Sequence, residues 1–558
     1  MAESASGEPV RLVFLGGLGE IGRNCACIEV SGRILILDCG LMFPDLEMPG
    51  IDLVLPDFTY LLDNADRVEA CVLTHGHEDH VGGLSFLLRD LEVPIYGSPL
   101  TLGLARNRIE EAGLLARTDL HPVHDGERRR IGPFDVEFIP VTHSVPYGFA
   151  IAFHTPQGVI LHSGDFKLDL TPVDGRSTDL GRIGAIASTE GIRLLLSDST
   201  NAEEAGHTLS ERVVGRVLDD LFAAHTDKRV IITCFASHIH RVQQIADAAV
   251  AHGRTIATVG RSMGKNVALA RTMGLLDIPE EALVDVEKIG DLDPRRVCII
   301  STGSQGEPMS ALALMAAGES KWVTVGEGDL VVLSSHAIPG NEANVGKVID
   351  GLYRLGAEVV HSGLAQVHVS GHAKREELKT LLSIARPDAF IPVHGEFRHL
   401  THHARLAAEM GVSESRILLA EDGDVIELSD NGINFVDEVP AGYLYVDGIV
   451  GDVGQGVLRD RRVLAEEGVV VVVVTVDAKS GEVLTGPEII TRGWVYAPEA
   501  EALLDEARAA VLASLEEAAD SGGTDYETLK RHARSALGRF VNERTRRRPM
   551  IVPVVMEV

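Results

Sequence analysis

The chain has 558 residues and carries 82 acidic against 51 basic side chains, a formal charge of −31 at pH 7. At about 150 residues per domain, this length exceeds one hydrophobic core and implies three or four units. The charge argues against indiscriminate binding of polyanions, although a local basic lining can act against an acidic background.

The start, Met1-Ala2-Glu3-Ser4, has neither the basic residues nor the apolar stretch of a secretory signal. The longest aliphatic run, Val469 to Val474, falls far short of the ~20 residues that cross a bilayer. The expectation is a soluble cytoplasmic protein with no membrane partner. Cys25, Cys27, Cys39, Cys71, Cys234 and Cys298 lie mostly in apolar runs. No second close pair completes a thiolate zinc site, so they read as buried reduced thiols.

Strand-like runs open the chain at Val10 to Leu15, Cys25 to Val30 and Ile34 to Asp38, with turns at Gly32 and Gly40. Between the first two, Gly17-Leu18-Gly19-Glu20-Ile21-Gly22 has the glycine spacing of a dinucleotide loop. Such a loop needs a following helix whose N-terminus holds pyrophosphate. Arg23 to Val30 reads as a strand instead, so the glycines are expected to form a tight turn.

The apolar strand Ala70 to Thr74 runs straight into His75-Gly76-His77-Glu78-Asp79-His80, and Val81-Gly82-Gly83-Leu84 then opens a helix. A tight loop between strand and helix can aim these side chains into one cavity. Neutral imidazole and carboxylate are zinc donors, and a catalytic site takes about three protein ligands per ion plus water. Four donors in six residues exceed the needs of one ion and point to two. The alternative is a surface turn that happens to be rich in histidine.

Leu100 to Ala112 reads as a helix; Val136 to Pro140, Phe149 to His154 and Val159 to His162 read as strands. His143 follows the first of these strands, Asp165 follows the third, and His394 ends the run Ile391-Pro392-Val393. Alone, each histidine reads equally well as a core residue. Their shared place at strand ends, where layered α/β folds carry function, groups them with the histidine loop.

From about residue 206 strands and helices alternate more cleanly: Val230 to Cys234, Arg241 to His252, Thr255 to Val259, Val297 to Thr302, Ser310 to Ala317. This pattern predicts an inserted parallel α/β domain over 206–361. Donor candidates resume at His368, His372 and His394, so the first domain is expected to be discontinuous, over 8–205 and 362–448. A C-terminal unit over 449–558 holds the valine strand, helices at Ala497 to Ala518 and Tyr526 to Glu543, and a last strand at Met550 to Met556. The basic spots Arg128 to Arg130, Arg459 with Arg461 and Arg462, and Arg544 with Arg546 to Arg548 read more readily as solvated clusters than as binding sites.

The metal constellation resembles the metallo-β-lactamase superfamily, and its interruption by an α/β insertion resembles the β-CASP branch, whose members cut nucleic acids. The stretches Gly16 to Asn24, Phe235 to Arg241, Gly260 to Met263, Thr302 to Met309 and Arg547 to Met550 look like bacterial ribonuclease J, and this likeness covers essentially the whole chain. It implies an αββα metallo-β-lactamase sandwich with an inserted β-CASP parallel α/β domain and a small C-terminal α+β domain. It implies one zinc on His75, His77 and His143, another on Asp79, His80 and His394, and Asp165 bridging them, with Mn2+ or Mg2+ as substitutes. Glu78 lies outside that ligand set and is expected to point away or support a neighbour.

The same resemblance implies catalysis by a di-zinc-activated hydroxide, with His372 protonating the leaving oxygen and Asp198 orienting His372. His394, where DNA-specific groups typically carry valine, favours RNA. A 5′-phosphate pocket is implied at Ala236, Ser237, His238, His368, Val369, Ser370, Gly371 and His372; His238 departs from the asparagine expected in many members. A calcium site is implied at Gly50, Asp52 and Asp447. Phe43 reads equally as a base-stacking or a core residue. The implied activity is 5′-to-3′ exoribonuclease preferring 5′-monophosphate ends, with endoribonuclease activity, in mRNA decay and rRNA maturation. Implied partners are single-stranded RNA, a second or further copies as a homodimer or homotetramer, and RNA-degradation proteins. Two other readings stand beside it: a non-catalytic RNA-binding scaffold and a small-molecule metallohydrolase.

Overall fold

A computed structural model describes residues 7–45, 47–307, 309–338, 341–448, 450–495 and 500–558. The expected boundary at residue 449 and helix start at Ala497 lie outside these residues. The described chain forms two compact units, one of residues up to Phe43 with Val54–Tyr443, the other of Pro44–Leu53 with Leu444–Val558. An early segment thus joins the C-terminal unit, a long-range pairing that no local pattern announces.

In the first unit two sheets stack face to face. One runs in space Gly432–Glu438, Asp424–Ser429, Val10–Gly16, Cys25–Val30, Arg33–Leu37, Val68–Val72, Ile95–Gly97, Leu120–Pro122. The other runs Ala389–Val393, Ile192–Asp198, Gly158–His162, Gly148–Thr155, Phe134–Val141, Arg128–Ile131. Leu12, Ile28, Val72, Phe138, Ile151, Leu194 and Ile391 fill the space between them, none more than 1% exposed. The outer face of the second sheet buries Ile183 and Ile186 of the helix Leu180–Thr189 and Leu378, Leu381 and Leu382 of Arg375–Ala385. Strands covered on both faces read as continuous apolar runs, which is why they lack alternation in the sequence. This is the expected αββα sandwich.

The parallel strands of each sheet position the site. In the second sheet Gly158–His162, Ile192–Asp198 and Ala389–Val393 are parallel, with His162 opposite Leu196 and Asp198 opposite Val393. In the first, Arg33–Leu37 and Val68–Val72 are parallel, with Leu37 opposite Val72. Parallel neighbours end at one edge, so the loops that leave them converge, and ligand sites of α/β sheets lie at such edges.

The insertion holds a five-stranded parallel sheet in the order Thr255–Val259, Val297–Ser301, Arg229–Thr233, Asp329–Leu333, Glu358–His361. Alternate strand residues face opposite helical layers. Val230, Ile232, Cys298 and Ile300 pack on Val214, Val242 and Val267, whereas Ile231, Ile299 and Val331 pack on Leu312, Val348 and Leu352.

In the second unit Val469–Val476 lies antiparallel to Val483–Arg492 and parallel to Met550–Glu557. The valine run alternates instead of being buried throughout: Val470, Val472, Val474 and Val476 are at most 1% exposed, against Val511, Leu515 and Leu537 of two helices. The strand Val483–Arg492 escaped the sequence pattern because its Gly486-Pro487 pair reads as a turn. The histidine loop also differs in detail. A helix starts at Glu78, not after Val81, because the His80 and Val81 amides both donate to His77 O.

Phe138 is 0% exposed and packs edge-on to Phe149 at 5.5 Å in the inter-sheet core. Phe138→Ala is expected to lower the unfolding free energy of this unit by about 3–5 kcal/mol, read from the midpoint shift in chemical denaturation.

Candidate metal centre

Five strand ends or the loops just after them deliver most of the donors. His75 and His77 follow Val68–Val72, His143 follows Phe134–Val141, Asp165 follows Gly158–His162, Asp198 ends Ile192–Asp198 and His394 follows Ala389–Val393. Asp79 and His80 lie in the short helix Glu78–Val81. One ligand atom each from His75, His77, His143 and Asp165 falls within 4.8 Å of the others, and so do those of Asp79, His80, Asp165 and His394. Asp165 belongs to both groups. A third set, Asp198, His372 and His394, adjoins them.

The contacts define which atoms face inwards. His77 Nδ1 lies 3.0 Å from His75 Nε2 and 3.1 Å from His143 Nε2. Asp165 Oδ2 lies 3.6 Å from His75 Nε2, 3.3 Å from His80 Nε2, 3.9 Å from His143 Nε2 and 3.7 Å from His394 Nε2. That oxygen is buried and has no hydrogen-bond partner among the described residues. A buried anionic oxygen without a bond is unfavourable unless a cation faces it. Nitrogen and carboxylate donors in two sets of four suit zinc, so the residues fit a two-ion centre.

The far side of each imidazole is held in place. His80 Nδ1 meets Asp38 Oδ2 at 2.7 Å, and Asp38 in turn accepts from Thr74 N and Thr74 Oγ1, both at 2.8 Å. His143 Nδ1 meets Gly371 O at 2.9 Å, and His394 Nδ1 meets Thr200 Oγ1 at 2.7 Å. Such outer contacts fix ring orientation and raise donor strength. Asp38 escaped the sequence reading; its signal was an aspartate at the end of a strand that pairs with the strand before His75. Lys167 was also missed: its buried amine donates to Leu209 O at 3.1 Å and Ser370 O at 3.2 Å. Glu78 faces away and pairs with Arg108 at 2.7 Å.

Charge is unevenly spread. Burial drives the imidazoles of His75 and His143 well below their ordinary pKa, and that of His77 down to about 4. These three are neutral donors. Burial pulls His80 and His394 the same way, but carboxylates reverse it. Asp165, Asp79 and Asp38 lift His80 well above its usual value, and Asp165, Asp198 and Asp79 lift His394 to about 10. Burial pushes the Asp165 carboxyl up, yet His394, His80 and His75 hold it well below the usual range. His372 Nδ1 sits 2.8 Å from Asp198 Oδ2; burial lowers this imidazole and the Asp198 charge more than restores it.

The expected phosphate residues come from two elements. Ala236, Ser237 and His238 precede the helix Ile239–Ala251, and His368 to His372 follow the strand Glu358–His361. Arg241 ties them, donating to Val367 O at 3.0 Å. Both ring nitrogens of His238, His368 Nδ1 and Arg241 Nη2 are buried without a hydrogen-bond partner among the described residues. Val369 is buried, and Ser370 Oγ accepts from Asn201 Nδ2 at 2.9 Å and from His372 N at 3.1 Å. Gly371 must be glycine: a Cβ there would lie 2.6 Å from His143 Cε1.

Gly50, Asp52 and Asp447 also come together, around Arg461. Its guanidinium donates to Gly50 O at 2.9 Å and pairs with Asp447 Oδ2, while Asp52 Oδ2 accepts from Gly448 N at 2.7 Å. Calcium at this point would have to share the Gly50 and Asp447 oxygens with Arg461. Phe43 is 45% exposed, which removes the core reading.

Comparison with known proteins covers the same ground. Residues 33–210 match the family described as "Beta-lactamase superfamily domain", and 227–352 match "Ribonuclease J, beta-CASP domain". Residues 357–417 match "Zn-dependent metallo-hydrolase RNA specificity domain", and 456–558 match "Ribonuclease J C-terminal domain". The chain is 43% identical to Ribonuclease J2 of Bacillus subtilis over 553 residues, 99% of each chain. It is 45% identical to Ribonuclease J of Mycobacterium tuberculosis over 551 residues, 98% of this chain and 97% of that one. A crystal structure of a protein of unknown function from Enterococcus faecalis shares the fold, with TM-score 0.53 and 16% identity over 75% of this chain and all of that one.

Asp38→Asn and Gly371→Ala are each expected to weaken zinc affinity about 10–100-fold while the chain stays folded, measured by competition with a chelating dye. Because carboxylates keep His80 and His394 protonated at neutral pH, zinc must displace protons. Loading is therefore expected to weaken as pH falls and to release protons, seen as buffer-dependent heats in isothermal titration.

Proposed function

The chain belongs to the ribonuclease J family of RNA-processing metallo-hydrolases, and from that membership we propose that this site cleaves single-stranded RNA 5′ to 3′ from 5′-monophosphate ends, with a secondary internal cut. His75, His77 and His143 would hold one ion and Asp79, His80 and His394 the other, with Asp165 available to both. The observation that carries the reading is Asp165 Oδ2, buried without a hydrogen-bond partner among the described residues and with four imidazole nitrogens within 3.9 Å. When bound, two zinc ions, or Mn2+ or Mg2+ in their place, acidify water and offset charge developing on phosphate oxygens.

The chain's own residues do the rest. His372 is close enough to the donors, 4.0 Å from Asp165 Oδ2, to reach a leaving oxygen at the same phosphorus. Asp198 holds it protonated and is itself fixed by Thr200 N at 3.0 Å and Thr200 Oγ1 at 2.8 Å. Arg241 Nη2 and His368 Nδ1, buried without a hydrogen-bond partner among the described residues, support binding of a terminal phosphate, while Glu211 takes Arg241 Nε at 2.6 Å and lies 3.5 Å from His238 Nε2. A complete donor set argues against a non-catalytic scaffold. The inserted domain argues against a small-molecule hydrolase, which needs no second layer of phosphate donors.

Roles in mRNA decay and rRNA maturation, assembly as a homodimer or homotetramer, contact with RNA-degradation proteins and a cytoplasmic setting belong to the same proposal through family membership. No helix among the described residues is long and apolar enough to cross a membrane.

On 5′-monophosphorylated RNA the wild-type protein is expected to release mononucleotides, and His77→Ala to lose at least 100-fold in rate (~2.7 kcal/mol). Equal turnover by both, followed by product length against time, would sink the metal reading. The pH profile tests His372. Its acid form is the active one, so rate falls at high pH as it deprotonates. Asp198→Asn removes the charge that raises its pKa, and the alkaline limb is expected to move to lower pH.

A further inference from the structure

Residues 17–24 form the turn between the strands Val10–Gly16 and Cys25–Val30. Arg23 sits in it with φ 52°, a left-handed conformation that non-glycine residues seldom adopt, and is 1% exposed. A buried guanidinium is unfavourable unless its donors are matched. Here Nε donates to Glu20 Oε1 at 2.7 Å, Nη2 to Asp422 Oδ2 at 2.8 Å and Nη1 to Gly442 O at 3.2 Å. Its Cζ lies 4.2 Å from the centre of the Tyr443 ring, and the Tyr443 hydroxyl donates to Glu20 Oε2 at 2.8 Å. Asp422 Oδ1 also accepts from Leu18 N at 3.0 Å. The turn is thereby pinned at both ends to a loop some 400 residues away in sequence.

The pinned turn touches only one half of the metal centre. Asn24 N donates to Asp79 O at 3.0 Å, and Asn24 Nδ2 to the same carbonyl at 3.1 Å. Asn24 Nδ2 also lies 3.2 Å from His80 Nε2. Leu18 and Gly19 pair with Gly395 and Glu396, the residues directly after His394. Asp79, His80 and His394 are the donors of the second group. The first group leans elsewhere: His75 on Thr74, His77 on Ser144, His143 on Gly371.

From this asymmetry we propose that Arg23 is a positioning residue for the second metal group alone. Its guanidinium fixes the turn, and the turn sets the spacing of Asp79 and His80 against His394. No proton or charge transfer is asked of it. The inference rests on the two-ion reading and deepens it by assigning separate control of one ion.

Cobalt(II) titration tests this, with visible absorption and elemental analysis read together. Wild-type protein is expected to take up two ions in two phases. Arg23→Lys keeps the charge but loses the planar fork, and Asp422→Asn weakens one partner while leaving the Leu18 contact. Each variant is expected to bind one ion as wild type does and the other about 10–100-fold more weakly, with an altered spectrum for that phase only. The RNA turnover number falls with KM unchanged. As a control for general destabilisation, Arg229→Lys loosens the 2.7 Å pair with Asp329 in the inserted domain and is expected to load both ions normally. Folded variants that load both ions like wild type, or lose both alike, overturn the proposal. Wild-type protein that takes up fewer than two ions overturns the two-ion reading instead. Should Arg23→Lys fail to fold by circular dichroism, Asp422→Asn decides by the same outcomes.

Discussion

A carboxylate oxygen with no hydrogen-bond partner among the described residues, buried among imidazoles, is the constraint around which the rest of this molecule is arranged. Asp165 is 2% exposed, and its Oδ2 faces nitrogens on four histidines. Such an anion is stable in the interior only beside positive charge. Carboxylate-stabilised protons on His80 and His394 supply it in part, and bound divalent cations would supply it in full. The neutral histidines of the first group and the proton-holding histidines of the second are two answers to the same electrostatic demand.

Holding seven donors to that geometry requires rigid supports on every side. Parallel strands from two sheets deliver side chains to one edge, and Asp38, Thr200 and Gly371 fix the back of three imidazoles. Gly371 lies in the loop that carries His372, so the candidate acid and a first-group donor share a support. Lys167 reinforces that loop from below through Ser370 O and reaches the start of the insertion through Leu209 O. The turn held by Arg23 plays the matching part for the second group.

The charge of −31 has a structural counterpart. Many of the exposed arginines that stand out in the sequence are spent on local carboxylates: Arg128 on Asp135, Arg129 on Glu127, Arg461 on Asp447 and Arg544 on Glu506. Inside, Arg241 is likewise paired, with Glu211 at 2.6 Å, and burial holds the imidazoles of His238 and His368 below their ordinary pKa.

The chain sequence by itself brought the donor residues that cluster in the fold into view. Six contiguous residues from His75 to His80 hold four donors, and strand ends at His143, Asp165 and His394 were visible from local apolar patterning. It also excluded a dinucleotide loop, because Arg23 to Val30 had strand character. Only tertiary structure decided what holds those donors. Asp38 looked like any strand-end aspartate until its strand paired with Val68–Val72. Arg23 read as the first residue of a strand until Asp422 and Gly442 closed over it. The grouping of Pro44–Leu53 with the C-terminal unit left no local trace. The reason is physical: donor chemistry and strand periodicity are properties of short segments, whereas burial, charge compensation and ring orientation arise from partners hundreds of residues apart.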